Sequence, residues 1–226
     1  LVYAACFGIE LTVYGTMDDY LQNRFGLDRS TAGNLVLSFA LMNIFARTLG
    51  GYFGDLFGKF RGLRGRVVFL ALILATEGLM LSIFSVTTSL VFGMIFLIAF
   101  SLTVQMAEGA TFSVVPFINK KAIGSISGIV GAGGNVGAFL AAMLLKSKSA
   151  VAESAAIAAN SELGEQAVKA AQTTAAASAV SSGFFVIGGF IVLAALLSLA
   201  IKFATADEMA VIEETEAELI LSGVDK

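Results

Sequence analysis

Residues 67–86 read VVFLALILATEGLMLSIFSV, a stretch that contains a single charged side chain, Glu77. A helix needs about 20 apolar residues to cross the hydrocarbon core of a bilayer, so this stretch alone predicts a membrane-spanning helix. Similar apolar blocks occur on both sides of it, separated by short charged stretches. The sequence therefore predicts an all-α membrane protein with six transmembrane helices, at about residues 1–16, 31–56, 67–86, 89–117, 123–145 and 182–203.

The composition of the 226-residue chain agrees with this fold class. It is 57% hydrophobic and 14% charged, with a mean hydropathy of +0.87, whereas soluble domains carry about 25% charged residues. One cysteine, Cys6, and the absence of histidine exclude a disulfide framework, the usual zinc sites and histidine-activated nucleophiles. A net charge of −3 gives no indication of a nucleic-acid partner. We expect no enzyme activity, no metal and no cofactor.

The loops predict the orientation. Two loops that fall on the same side of the membrane carry the basic residues Lys59, Arg61, Arg64, Arg66, Lys120 and Lys121. The positive-inside rule makes that side cytoplasmic, and the plasma (inner) membrane is the expected location. The first block reaches only about 24 Å as a helix, so we expect the chain to be cut inside that helix.

Two segments are expected outside the membrane. The Ala/Ser-rich segment 146–181 is predicted to be a non-cytoplasmic loop, either an exposed helical hairpin or a mobile linker. The acidic segment 205–226 is predicted to be a cytoplasmic tail, helical or disordered. The segment 146–181 thus lies between the first five spans, 1–145, and the sixth span, 182–204. The segment 205–226 follows the sixth span.

Four ionisable residues lie inside the predicted spans: Glu10, Arg47, Glu77 and Glu108. A charge at the bilayer centre costs about 2.5–3.5 kcal/mol on insertion scales, so each should face protein or a water-filled cavity. Arg47 has no acidic residue three or four positions away, and Asn43 lies one turn before it. Its forked donors are suited to a planar anion. The alternative is a structural ion pair between Arg47 and one of the three glutamates.

A glycine-rich segment, Gly131–Ala138, lies in the fifth predicted span. Glycines four residues apart, as at 133 and 137, allow two membrane helices to approach closely, and packing is one interpretation of the segment. Packing does not require Asn135, whose amide must find a partner. The other interpretation is that Asn135 and the backbone of Gly133 and Gly134 donate to an anion.

The second predicted span ends in Gly51-Tyr-Phe-Gly-Asp55, followed by the basic loop. We interpret Gly51, Asp55, Arg64 and Arg66 as a cytoplasmic gate that closes through charge pairs. The alternative is a basic loop that only sets the topology.

At these positions the sequence resembles the nitrate/nitrite porter family of the major facilitator superfamily. Gly131–Ala138 is similar to the family's glycine-rich signature in the eleventh helix of twelve, and Ala46-Arg47 with Gly50-Gly51 to the eighth helix. Residues 3–11 (YAACFGIEL) resemble the seventh helix, and the stretches from Glu108-Gly109 to Val115-Pro116-Phe117 resemble the tenth.

The resemblance implies that the chain is the C-terminal six-helix bundle of the facilitator fold and that its N-terminal half is absent. It implies a nitrate or nitrite site formed by Arg47, with Tyr3 and Phe7 as an aromatic wall, and alternating access by rocking of the two halves. It also implies proton symport, with Glu10 and Glu108 as candidate proton-linked acids. An accessory subunit is left open.

Two other functions fit the residues. One is a facilitator for another small anion, such as an organic carboxylate. The other is a non-transporting sensor or scaffold, in which replacing Arg47 by lysine would leave activity intact. A membrane enzyme is the least favoured, because no nucleophile, base and metal constellation is visible.

Overall fold

The computed structural model describes residues 1–118, 122–162 and 164–203, and all regular elements within these ranges are helical. The predicted loop residues Lys120 and Lys121 and the predicted acidic tail lie outside the described residues. A π-helical turn, Ala4–Gly8, precedes α1, and a short 3-10 turn, Val115–Phe117, follows α4. The helices are α1 (Ile9–Phe25), α2 (Arg29–Leu41), α3 (Asn43–Val86), α4 (Leu90–Val114), α5 (Ile123–Ala159) and α6 (Glu165–Ser198).

Within the described residues, four helical stretches are long and apolar enough to cross a membrane, which makes the chain a multi-pass integral membrane protein. They are Arg29–Val86, Leu90–Phe117, Ile123–Ala159 and Glu165–Ser198. The count is lower than the predicted six. The first stretch includes two of the predicted blocks, and the first predicted block is interrupted by the π-helical turn.

The stretch Arg29–Val86 folds back on itself at Arg61-Gly62. Gly62 has φ +60° and ψ −153°, a conformation that is essentially restricted to glycine. The rings of Phe53 and Phe69 lie 6.2 Å apart, centroid to centroid. A straight helix would separate these residues by about 24 Å along its axis, so the two parts of α3 run side by side.

The connection between α1 and α2 is fixed by signals at the helix ends. Gly26 ends α1 in a left-handed conformation with φ +68°, where glycine is favoured, and its N–H donates to the carbonyl of Gln22. Asp28 caps α2 by accepting hydrogen bonds from the Thr31 backbone N–H at 3.0 Å and from its hydroxyl at 2.7 Å. Both signals are local, and they place a tight turn between two helices.

Much of the Ala/Ser-rich segment 146–181 belongs to helices α5 and α6. α5 continues through Lys146 to Ala159, and α6 already begins at Glu165, so both helices are longer than the predicted spans. Lys148 Nζ of α5 donates to Ser182 Oγ of α6 at 3.1 Å. The side chains of Tyr20 and Ser181 are joined by a hydrogen bond of 2.8 Å, which ties α6 to α1.

The core lies where α3 packs against α4 and α6, with α1 and α5 completing the bundle. Aromatic rings fill it: Tyr20, Phe84 and Phe184 form one cluster, and Phe39 and Phe100 another. Other large apolar side chains point outward, among them Ile44, Phe60 and Ile129, each more than 70% exposed. Outward apolar faces are what a helix bundle presents to lipid or to further helices.

Candidate functional site

Arg47 is the charged centre of the bundle. On α3, its Nη2 forms an ion pair with Glu108 Oε2 of α4 and lies 3.6 Å from Glu10 Oε2 of α1. Asn43 Nδ2 donates to Glu10 Oε1 at 3.3 Å. The structure therefore brings these four predicted residues together, and the ion-pair interpretation of Arg47 applies to Glu10 and Glu108.

The exposure of the three charged side chains differs. Arg47 is 39% exposed, whereas Glu10 is 9% and Glu108 0% exposed. The two carboxylates hold the guanidinium from the protein side and leave part of it uncovered. An arginine fixed in this way can present donors to a ligand without having to be ordered first.

Glycines at the crossing of α3 and α4 make the ion pair possible. A Cβ atom on Gly50 would overlap the backbone of Met106, and one on Gly109 would overlap the carbonyl of Arg47. Small residues let membrane helices touch backbone to backbone. Arg47 lies a few residues before Gly50, and Glu108 lies directly before Gly109. The close crossing of the two helices therefore sets the distance between the Arg47 and Glu108 side chains.

An open cavity of about 710 Å³ lies beside Arg47 and extends toward the predicted cytoplasmic end. It connects the guanidinium with Asp55 and Arg66, so that two predicted substrate residues and three of the four predicted gate residues line one space. The lining residues are Asn43, Arg47, Thr48, Gly51, Asp55, Arg66, Gly109, Phe112, Ser113, Pro116 and Phe117.

The aromatic residues predicted near the site, Tyr3 and Phe7, contact the cavity indirectly, through the ring of Phe112. Tyr3 and Phe7 stack with ring centroids 5.1 Å apart, and Tyr3 meets Phe112 edge-on at 5.3 Å. Phe112 lines the cavity. The sequence did not single out Phe112, although its position four residues after Glu108 places both on one helix face.

The glycine-rich segment of α5 packs against the π-helical turn. A Cβ atom on Gly134 would lie 2.7 Å from Phe7 Cδ1 and 2.8 Å from Tyr3 Cδ1, and one on Gly137 would lie 2.6 Å from the Ala4 carbonyl oxygen. The packing interpretation of the segment therefore applies to Gly134 and Gly137. Through them, α5 holds the aromatic pair in place.

Asn135 and Gly133 are not among the residues found along the Arg47 cavity. Asn135 is exposed, and its Nδ2 donates to the Gly131 carbonyl at 3.2 Å. Gly133 and Gly134 lie inside α5, where backbone N–H groups donate to carbonyls one turn earlier. In the described part of the chain, this segment faces a different space from Arg47: Gly133 borders an apolar cavity with Leu140 and Phe190.

The predicted gate residues form two separate contacts. Arg66 pairs with Asp55, donates to the Ser113 carbonyl at 3.1 Å and lies over the Phe117 ring at 4.8 Å. Arg64 instead donates to the Leu199 carbonyl at 2.7 Å, at the C-terminal end of α6. The basic loop is thus bonded to α4 and to α6.

The amino-acid sequence was compared with known proteins. It is 41% identical over 144 residues to a high affinity nitrate transporter of Arabidopsis thaliana, with 64% of this chain and 29% of the relative covered. It is 43% identical over 139 residues to a nitrate transporter of Chlamydomonas reinhardtii, covering 61% of this chain and 27% of the relative. A nitrate/nitrite transporter of Picosynechococcus is 35% identical over 151 residues, covering 66% and 28%.

No protein-family model and no solved structure matches the chain. The chain spans less than a third of the length of these curated relatives. They are named as transporters, in agreement with the expectation that the chain is not an enzyme. Over 61–66% of its own length the chain is a homologue of nitrate and nitrate/nitrite transporters, which confirms its resemblance to the nitrate/nitrite porter family.

Proposed function

We propose that this chain is the C-terminal six-helix half of a secondary transporter that moves nitrate, nitrite or both across the plasma membrane by alternating access, coupled to protons. The observation that carries the proposal is Arg47, a partly exposed arginine at a cavity inside an apolar helix bundle. The names of the relatives supply the anion.

Six spans follow from the helix geometry if the fold-back in α3 is counted as a boundary. The segments before and after Gly62 then cross separately. The π-helical turn and α1 are contiguous from Ala4 to Phe25, a length of about 33 Å at helical rise, which suffices to cross the hydrocarbon core. Together with α4, α5 and α6, these segments would make up the six spans of the proposed half-transporter.

The anion would bind to the uncovered side of Arg47. Nitrate is planar and presents oxygen pairs that match the guanidinium fork. Asn43 lies at the same cavity with an amide that can donate to the anion if it leaves Glu10. Phe112, backed by Tyr3 and Phe7, would provide an apolar wall that limits water at the site.

Proton coupling would come from competition for Arg47. An anion that takes over the guanidinium weakens its pairing with Glu10 and Glu108. A buried carboxylate that loses its cation is costly, so it takes up a proton. Binding of one anion is thereby linked to binding of one proton, and the charge of the site is preserved.

The gate would consist of the Asp55–Arg66 pair at the end of the same cavity. Breaking this pair and the Arg64 contact with α6 would free α3 to move relative to α4 and α6. The absent N-terminal half would form the other wall of the pathway. On α5, Asn135 is exposed and Gly133 is partly exposed, so both could contact the anion once the N-terminal half packs against this helix. Asn135 would first have to release the Gly131 carbonyl.

The decisive experiment is nitrate uptake and nitrate counterflow by the chain together with its proposed N-terminal half in proteoliposomes. Replacing Arg47→Lys keeps the charge and removes the fork, and we expect uptake to fall about tenfold or more, as for loss of a charge-assisted hydrogen bond. Arg29→Lys, on an exposed arginine at the start of α2, is the matched control and should behave as wild type.

Three outcomes would overturn the proposal. If R47K transports nitrate at the wild-type rate, Arg47 is a structural residue. If a dicarboxylate is transported and nitrate neither enters nor competes, the substrate class is wrong. Transport of neither anion by the wild-type assembly would favour the sensor or scaffold function.

A further inference from the structure

Glu77 is a second acidic feature of the bundle that the proposed anion site does not use. It lies in the middle of the apolar stretch 67–86 on α3 and is 0% exposed. The next residue, Gly78, is at a close crossing with α6, where a Cβ atom would lie 2.6 Å from the Gly188 carbonyl oxygen.

Neither carboxyl oxygen of Glu77 has a hydrogen-bond partner among the described residues. The ion pairs found for Arg47 are with Glu10 and Glu108, so its charge is already shared by two carboxylates. An unpaired carboxylate in an apolar interior is strongly disfavoured, and such a group becomes neutral instead. The neutral, protonated form of Glu77 is therefore the one that this environment favours.

The groups close enough to Glu77 to interact electrostatically come from three elements. They are Glu108 of α4, Glu10 of α1 and the Cys6 thiol of the π-helical turn. The ionisable residues of α6, Glu165 and Lys169, lie in its first two turns, far along the helix from Gly188. Glu77 thus lies within electrostatic range of the two carboxylates that bind Arg47, and no hydrogen-bond partner is found for it among the described residues.

The charges of this cluster do not balance unless protons are bound. Arg47 pairs with two carboxyl groups, Glu77 lies within electrostatic range of both, and an anion on Arg47 would add a further negative charge.

We propose that Glu77 is a proton-binding residue that exchanges its proton with the Arg47-linked carboxylates during the transport cycle. When the anion releases Glu108 or Glu10 from Arg47, the O–H bond of Glu77 breaks and an O–H bond forms on that carboxylate. Glu77, now the carboxylate, regains a proton from the side of the membrane that is open. The inference rests on the proposed proton-coupled transport of the anion.

The test is Glu77→Gln, which keeps the shape of the protonated side chain and cannot release a proton. In proteoliposomes with the proposed N-terminal half, we expect proton flux accompanying nitrate to fall about tenfold, within the usual range of coupling between two sites. Nitrate exchange, which needs no net proton movement, should be reduced far less. Glu165→Gln, on an exposed acid of α6, is the control. Wild-type proton flux and wild-type pH dependence of uptake in E77Q would overturn the inference.

A spectroscopic measurement keeps the inference testable if E77Q does not fold or if nitrate is not the substrate. Infrared spectra of the wild-type assembly should contain a carboxylic-acid C=O band that loses intensity in alkaline buffer. The band should shift in Glu77→Asp, which identifies its origin. If this band does not change with pH, Glu77 is permanently neutral and the inference is wrong, whatever the outcome for Arg47. Loss of nitrate transport in R47K with a titrating Glu77 band would support both proposals.

Discussion

The guanidinium of Arg47 is bound on one side by two buried carboxylates and is open to a cavity on the other. This arrangement reconciles two interpretations of the sequence that were alternatives. An ion pair and an anion site are compatible when the pair positions the arginine and a competing anion can replace a carboxylate. The energetic reason is that the displaced carboxylate can be neutralised by a proton, so no uncompensated charge remains buried.

Asp28 provides a prediction at the residue scale outside the membrane. The Thr31 hydroxyl and backbone N–H donate to its carboxylate and hold the pKa of Asp28 below its ordinary value of 3.8. A lowered folded-state pKa stabilises the protein above the unfolded pKa, and this contribution is lost as pH falls through the folded value. We expect Asp28→Ala to lower the thermal unfolding temperature at neutral pH.

The pH dependence distinguishes the cap from a nonspecific effect. The difference in unfolding temperature between wild type and D28A should shrink as the pH is lowered below about 4, since protonated Asp28 accepts poorly. Asp28→Asn keeps a capping oxygen and should stay close to wild type at neutral pH. A difference that is constant with pH would contradict this account.

At the element scale, helix contacts in this chain depend on glycine at particular positions. Gly50 and Gly109 bring α3 and α4 together, and Gly134 and Gly137 bring α5 onto the π-helical turn. At Gly133 of the same glycine-rich segment, an added Cβ atom would have nothing within 4 Å in the described part of the chain. The glycine spacing in the sequence left close packing and anion binding as alternatives, and only the structure separates the glycines that pack from those that do not.

Gly137→Ala tests the contact between α5 and the π-helical turn. The added methyl group would push against the Ala4 backbone and displace Tyr3 and Phe7, so we expect Cys6 of the same turn to become accessible. Cys6 is 0% exposed and is the single cysteine of the chain. Its labelling by a membrane-permeant maleimide, followed by peptide mass spectrometry, should be absent in wild type and clear in G137A.

Gly189→Ala is the control for that experiment. Gly189 lies on α6, where an added Cβ atom has nothing within 4 Å among the described residues. Labelling of Cys6 in this variant should equal that of wild type. Equal, low labelling of Cys6 in both variants would show that the α5 contact tolerates a methyl group.

At the scale of the whole molecule, the basic loop after the first part of α3 connects three helices. Arg66 reaches Asp55 and the Ser113 carbonyl, and Arg64 reaches the end of α6. Asp55, Arg66 and Ser113 line the cavity that contains Arg47. The contacts of the loop link the position of α3 to those of α4 and α6, which is the property that a gate requires.

A charge exchange tests the gate. Asp55→Arg and Arg66→Asp each place like charges together, and we expect each variant to lose nitrate uptake by about tenfold or more while remaining in the membrane. The double variant restores an opposite-charge pair and should recover part of the uptake. Recovery should be incomplete, because an aspartate in place of Arg66 could neither donate to the Ser113 carbonyl nor lie over Phe117 as a cation. No recovery at all would mean that the pair itself is not the gate.

The sequence alone determined which parts of the chain enter the membrane and which residues are costly there. Hydropathy and charge are local properties, so residues 67–86 and the isolated Arg47 and Glu108 could be recognised without coordinates. Helix ends were less well predicted. α5 and α6 continue through the Ala/Ser-rich segment, because alanine has a high helix propensity even where hydropathy has fallen.

The tertiary structure decided which charged residues meet. Glu10, Glu77 and Glu108 were equivalent candidates to pair with Arg47, and the crossing of α3, α4 and α1 selects Glu10 and Glu108. It also separates Asn135 from the Arg47 cavity and leaves Glu77 without a partner among the described residues. Such pairings depend on the relative rotation and distance of helices that are far apart in the chain, and no local pattern of residues specifies them.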